Sequence, residues 1–159
     1  MSDPCIRAAE IESAVRRYWQ VLMEKVEGEM AAFYSYDAMV FNPFSWRAEP
    51  GRVSAARKER LFYTPMTTFR AEIVGPIEVQ LLADHIATAS YNFRWHASNM
   101  KQDVLDKHFD RAVREGRATQ VFVRSPEGKL QIVNEHLSDV WRDQDHPAKP
   151  AAHAAASIR

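Results

Sequence analysis

The residues best suited to chemistry lie near the end of the chain, in the run Asn134-Glu135-His136-Leu137-Ser138. Side chains at i and i+2 of a strand point the same way, so Asn134, His136 and Ser138 are expected to share a face. A histidine there has a pKa near working pH and suits a general acid or base, with Asn134 and Ser138 orienting a carbonyl or carboxylate. The plainer alternative is a histidine bonded to a backbone carbonyl, with its neighbours at a solvated rim. Arg94 and His96 share one face of an earlier alternating run, Ile86 to Ser98, whose other face offers Ala87, Ala89, Tyr91, Phe93 and Trp95. Inside a pocket, an arginine fork would receive an anion; outside, it is an ordinary surface charge. The two faces exclude each other. If Arg94 points inward, the aromatics form an apolar patch fit for association; if the aromatics line the pocket, Arg94 is outside.

What stands beside His136 depends on the last hairpin, Gly116 to Ser138. Two alternating, β-branched runs flank Ser125-Pro126-Glu127-Gly128, a good type I turn sequence. A plain four-residue turn pairs Val121 with Ile132 and sets Arg117 opposite His136, and it keeps apolar residues together. A bulge at Gly128 moves the pairing by one and sets Gln120 opposite Asn134. Aromatic candidates for a pocket wall are Tyr18, Trp19 and Phe41, with Phe44 and Trp46 on a loop near the expected mouth. The candidate set is thus His136 as catalyst and Arg94, Asn134, Ser138, Arg117, Gln120, Trp19, Phe44 and Trp46 as ligand contacts. Asp37 reads as a turn residue, Glu135 faces away from His136 by parity, and no carboxylate base is evident beside a tyrosine. The histidines lack metal-ligand spacing, the five glycines are isolated, and the single Cys5 lies close to the terminus. No metal and no cofactor are expected.

These residues must be positioned by a mixed set of elements. A helix is expected from Ile6 to about Val26, with Ile11, Val15, Tyr18, Trp19 and Leu22 on one face. A short helix about Glu29 to Tyr34 and a strand at Met39 to Phe41 follow. A third helix, capped by Ser54, runs through about Tyr63. Phe69 to Val74 and Ile77 to Leu82 read as one long strand bent at Gly75-Pro76. Asn99 to Glu115 is either a short helix or an irregular crossover. Helices first and strands later predict an α+β fold, a curved antiparallel sheet packed on N-terminal helices as a cone with an open mouth. Residues 1–141 are read as one domain and 142–159 as a disordered tail.

Lys plus Arg and Asp plus Glu are 21 each, so the formal net charge is zero and nothing points to nucleic acid or an acidic membrane. No run approaches the ~18 apolar residues of a membrane span, and the first residues lack an apolar signal segment, so a cytoplasmic protein is expected.

Gly116-Arg117-Ala118-Thr119-Gln120-Val121-Phe122 and the run Gly128 to Ser138 resemble two closing strands of the nuclear transport factor 2-like superfamily, written GR-T--V and G-W-I---H-S. Leu130 stands where those proteins usually carry Trp. Phe33 to Phe41 is similar to their helix-to-strand transition, and the likeness spans about Ile6 to Val140. Within the superfamily the chain is most similar to SnoaL-like proteins and to the association domain of calcium/calmodulin-dependent kinase II, whose pocket arginine Arg94 resembles. The resemblance implies the cone fold, a homodimer formed through the sheet and an apolar pocket for a small apolar or carboxylate-bearing molecule. It does not fix a reaction, because members range from ketosteroid isomerases and cyclases to oligomerisation hubs. Two functions fit these expectations. One is a cofactor-independent isomerase, cyclase or dehydratase of the SnoaL-like kind; the other is a non-catalytic ligand-binding or oligomerisation module.

Overall fold

The computed structural model describes residues 5–43, 47–63, 68–98 and 113–139. Helix α1 (Ala8–Glu24) leads through a 3₁₀ turn (Met30–Phe33) into strand β1 (Tyr34–Phe41). Strand β2 (Glu49–Pro50), helix α2 (Gly51–Phe62) and strands β3 (Thr68–Ala83), β4 (Ile86–Ser98), β5 (Val113–Arg124) and β6 (Leu130–Asp139) complete it. The strands form one six-stranded sheet in the order β2-β1-β6-β5-β4-β3. The fold is α+β, with a curved sheet that does not close into a barrel. One pairing departs from the expected antiparallel pattern: β1 runs parallel to β6, so the sheet is mixed.

Apolar periodicity explains how α1 seats itself. Ile11, Val15, Tyr18, Trp19 and Leu22 recur every three or four residues and are buried as one stripe. The helix ends where Lys25 turns left-handed and donates its N–H to the Val21 carbonyl at 3.1 Å. Helix α2 begins at Gly51, three residues before Ser54. Pro50 has the fixed φ of a helix entrance, and Gly51 lies so close to Tyr34 that a Cβ would meet the ring at 2.7 Å. Ser54 is therefore no cap; it is buried and accepts a hydrogen bond from Asn42 Nδ2 at 3.3 Å. The inward stripe of α2 is Gly51, Ser54, Ala55, Lys58 and Phe62, with a lysine in its middle.

Strand parity is settled by packing. Ala87, Ala89, Tyr91, Phe93 and Trp95 are buried inside the curve of the sheet, so the aromatic face is core and not an association patch. Arg94 is on the opposite face, where it pairs with Glu115 at 2.6 Å and Glu72 at 3.1 Å. Its charge stays solvated there, which the apolar interior would not permit.

The hairpin takes neither register whole. Gly128 donates to the Ser125 carbonyl and Ser125 to the Lys129 carbonyl, both at 2.8 Å, and Gly128 has φ +83°. This is a type I turn closed by a glycine bulge, and it pairs Phe122 with Ile132 instead of Val121 with Ile132. The register slips again between Val121 and Phe122: Val121 pairs with Asn134, so Val133 is an extra residue. Past that bulge Gln120 faces Glu135, Thr119 faces His136 and Arg117 faces Ser138. An extra residue reverses which side chains point inward. Ile132, Glu135 and Leu137 are consequently buried, and His136 is exposed.

Phe44, Trp46, most of the Asn99 to Glu115 segment and the 142–159 tail lie outside the described residues; Val113 to Glu115 belong to β5. No described helix is long and apolar enough to cross a membrane. Because Gly51 leaves room for the Tyr34 ring, Gly51→Ala is expected to destabilise the fold by about 1–3 kcal/mol, the usual cost of overpacking. Urea unfolding checks this, and an unchanged midpoint would contradict the close contact.

Candidate functional site

Two helices and three strands converge on one carboxylate. Glu135 on β6 is completely buried. Its Oε1 accepts hydrogen bonds from Lys58 Nζ at 2.6 Å and from the Tyr18 hydroxyl at 3.2 Å. Its Oε2 accepts from the Tyr34 hydroxyl at 2.9 Å and from Gln120 Nε2 at 3.1 Å. Lys58 reaches in from the middle of the α2 stripe and also donates to the hydroxyls of Tyr18, at 2.5 Å, and Tyr34, at 2.8 Å. The three N–H bonds of the ammonium are thus matched by three acceptors. Gln120 is in place because β5 sets it directly opposite Glu135.

The electrostatics follow from burial. Two opposite charges without water are tolerable only when paired and fully hydrogen-bonded, which describes Lys58 and Glu135. Desolvation, and then the Glu135 charge, push the phenols of Tyr18 and Tyr34 well above their ordinary pKa. Both remain protonated donors at neutral pH. Tyr91 is also raised by burial, and its hydroxyl accepts from the Trp19 indole N–H at 3.1 Å.

The cluster borders a cleft. Tyr18 and Lys58 meet a wall that includes Trp19, Phe62, Phe69, Phe93 and Trp95. Empty space in the cleft, its mouth included, is about 380 Å3, of which about 20 Å3 admits the centre of a water molecule. Trp19 packs against Phe93 at 4.8 Å between centroids, and Phe62 against Phe69 at 4.3 Å, so the wall is a stacked aromatic surface.

Of the residues expected from sequence, the structure brings Gln120 to the cluster and Trp19 to the cleft. His136 is exposed on the outer face of the sheet, its ring 6.0 Å from that of Phe41. Asn134 and Ser138 are half-buried and alternate with the inward Glu135 and Leu137; Arg117 is exposed across from Ser138. Arg94 is held in its outer ion pairs. None of these five reaches the cluster, because the Val133 bulge in β6 and the alternation of β4 and β5 turn them away from it. Sequence reasoning missed Lys58, Tyr34 and Glu135, and it took Tyr18 for plain aromatic wall. The available signal was a single charge on a helical stripe of small and apolar residues (Ser54, Ala55, Lys58, Phe62); Glu135 gave none, because the Val133 bulge decides its parity. Among the described residues, no three His, Cys, Asp or Glu side chains gather as metal ligands.

Comparison with known proteins agrees with the architecture. No protein-family profile and no curated protein sequence matches the chain. Solved structures do. A nuclear transport factor 2-like superfamily protein from Salmonella enterica superposes with a TM-score of 0.67 at 15% identity, covering 85% of this chain and 92% of that one. A protein from Xanthomonas campestris, provisionally assigned as a calcium/calmodulin-dependent kinase II association domain, gives 0.63 at 20% identity over 85% and 89%. ActVI-ORFA from Streptomyces coelicolor gives 0.63 at 19% identity over 82% and 95%. The chain therefore has the nuclear transport factor 2-like fold.

Two measurements probe the cluster. Glu135→Leu strands the Lys58 ammonium in the core and is expected to cost about 3–5 kcal/mol, whereas Lys58→Met with Glu135→Leu should recover most of that. Urea unfolding of both variants checks it, and a double variant no better than the single one would contradict the pairing. Alkaline titration tests the phenols. Their folded pKa values are raised above the unfolded value of about 10, so this stabilisation is complete below pH ~10 and is lost as pH rises further. Phenolate absorbance should show Tyr18, Tyr34 and Tyr91 ionising together with unfolding; their smooth titration in the folded protein would contradict their burial.

Proposed function

We propose that this protein is a cofactor-independent acid–base enzyme, of the isomerase or lyase kind, acting on an apolar substrate that carries a carbonyl group. The observation supporting this reading is the placement of Tyr18 and Lys58, buried polar groups bordering an otherwise apolar and aromatic cleft. A buried ion pair is a poor device for stability, because well-packed apolar residues of similar volume often do as well or better. Its position beside a cleft supports a functional role instead. Pockets of this composition bind apolar molecules and orient them through a few polar atoms.

The chemistry follows from the hydrogen bonds. A carbonyl oxygen entering beside Tyr18 accepts from its hydroxyl, which turns to it from Glu135 Oε1 and which the raised pKa keeps protonated. Lys58 passes a proton 2.6 Å to Glu135 and, now neutral, takes the proton next to the carbonyl. Negative charge gathering on the oxygen is met by the Tyr18 O–H. Glu135 does not border the cleft and works as the proton store behind Lys58; Tyr34 and Gln120 hold its second oxygen. The base is thus moved from His136, on the outer face, to the interior. The ligand handle is also narrowed. Glu135 already neutralises Lys58, so a neutral carbonyl fits better than a carboxylate, which would bring a second negative charge into the site.

The alternative, a binding module without turnover, draws on the completeness of the network, since each Lys58 N–H is already engaged. Acetophenone in heavy water separates the two. Binding is read by quenching of Trp19 and Trp95, and turnover by exchange of the methyl protons in NMR. Exchange is expected to accelerate by on the order of 10²-fold, the usual share of a positioned acid and base, and to fall sharply in Tyr18→Phe. Binding without exchange would favour the module; failure to bind would overturn both readings.

A further inference from the structure

We infer that Lys58 is a covalent catalyst, its amine condensing with the carbonyl carbon of an apolar aldehyde or ketone to hold the substrate as a protonated imine. This deepens the acid–base reading and rests on it.

Three features of the site carry the inference. First, Lys58 borders the cleft while its side chain is only 3% exposed, so a ligand in the cleft meets it shielded from bulk solvent. Second, the groups that condensation needs are already in contact with Nζ. Glu135 Oε1, 2.6 Å away, can take the proton the amine must shed, and the Tyr18 hydroxyl, 2.5 Å away, can deliver a proton to the carbonyl oxygen. Nucleophile, base and acid within hydrogen-bond reach of one another form the arrangement that amine addition requires. Third, the charge of the cluster does not change. Condensation turns an ammonium into an iminium, so Glu135 keeps a positive partner from start to finish and no buried charge is left alone.

The step balances without any redox partner. Lys58 Nζ gives one proton to Glu135, and its lone pair forms the C–N bond while the C=O π electrons move onto oxygen. That oxygen takes the phenolic proton of Tyr18, and the proton held by Glu135 restores the phenol, giving the carbinolamine. A second proton then leaves nitrogen by the same relay and reaches the hydroxyl oxygen. The C–O bond breaks, water departs, and the nitrogen lone pair closes the C=N bond. In sum, an ammonium and a carbonyl give a protonated imine and one water. The imine withdraws electrons from the adjacent carbon; with the Lys58 nitrogen now bonded, the proton released there passes through the Tyr18 hydroxyl to Glu135, which takes the place of Lys58 as base. The substrate class is therefore an aldehyde or unhindered ketone on an apolar, aromatic-sized body that matches the wall of Trp19, Phe93 and Trp95.

Reductive trapping tests this. The intact protein is mixed with cinnamaldehyde and sodium borohydride, and adducts are located by peptide mass mapping. One reduced adduct per chain is expected on Lys58, formed on the order of 10²-fold faster than on the exposed Lys129, the usual gain from a positioned acid and base. Tyr18→Phe should slow labelling of Lys58 while circular dichroism reports an unchanged fold. Lys58→Arg, which keeps a positive charge beside Glu135, should abolish the adduct. Labelling spread evenly over surface lysines would overturn the inference. So would quenching of Trp19 and Trp95 by cinnamaldehyde without a Lys58 adduct, an outcome that leaves the acid–base reading standing. Neither quenching nor adduct would overturn both.

Discussion

A carboxylate with no exposure to water is the constraint around which this molecule is arranged. Glu135 accepts from Lys58, Tyr18, Tyr34 and Gln120, and those donors come from α2, α1, β1 and β5. Helix placement, sheet curvature and strand register must all be right before the charge is satisfied. Half of such a network would be worse than none, because each missing donor leaves a buried ion exposed to a medium that cannot solvate it. The same requirement accounts for local details. Gly51 lets α2 start against the Tyr34 ring, and the pairing of β5 with β6 sets Gln120 opposite Glu135.

Polar atoms and aromatic wall depend on each other here. The rings help to bury the phenols, which keeps them protonated and strengthens each hydrogen bond to Glu135. Tyr18 and Lys58 in turn add a hydroxyl and an ammonium to a wall otherwise made mostly of aromatic and aliphatic side chains. A cleft of this kind discriminates by shape over most of its area and by hydrogen bonding at one point.

Much of the architecture was legible because apolar period is a strong signal. The stripe of α1, the clean alternation of β4 and the turn at Ser125 to Gly128 each appear where the pattern places them. The interior chemistry was hidden for one physical reason. Parity counts residues, and Val133 adds one that leaves no mark in the sequence, since it is β-branched and apolar like Ile132 beside it. Without that bulge His136 turns inward and Glu135 outward; with it they exchange places. Lys58 was legible in principle, as the single charge on the inward stripe of α2. A lysine on a helix is usually solvated, however, and only the distant Glu135 gives it a reason to be buried.

In the proposed function, Tyr18 and Lys58 present their polar atoms to a ligand carbonyl inside the cleft. The most direct measurement is the infrared carbonyl stretch of acetophenone bound to the protein, compared with the same ketone in an apolar solvent. Hydrogen bonding to Tyr18 should lower the frequency, and Tyr18→Phe should return most of the shift. A bound ketone whose stretch is unmoved, or moved equally in Tyr18→Phe, would contradict the claim.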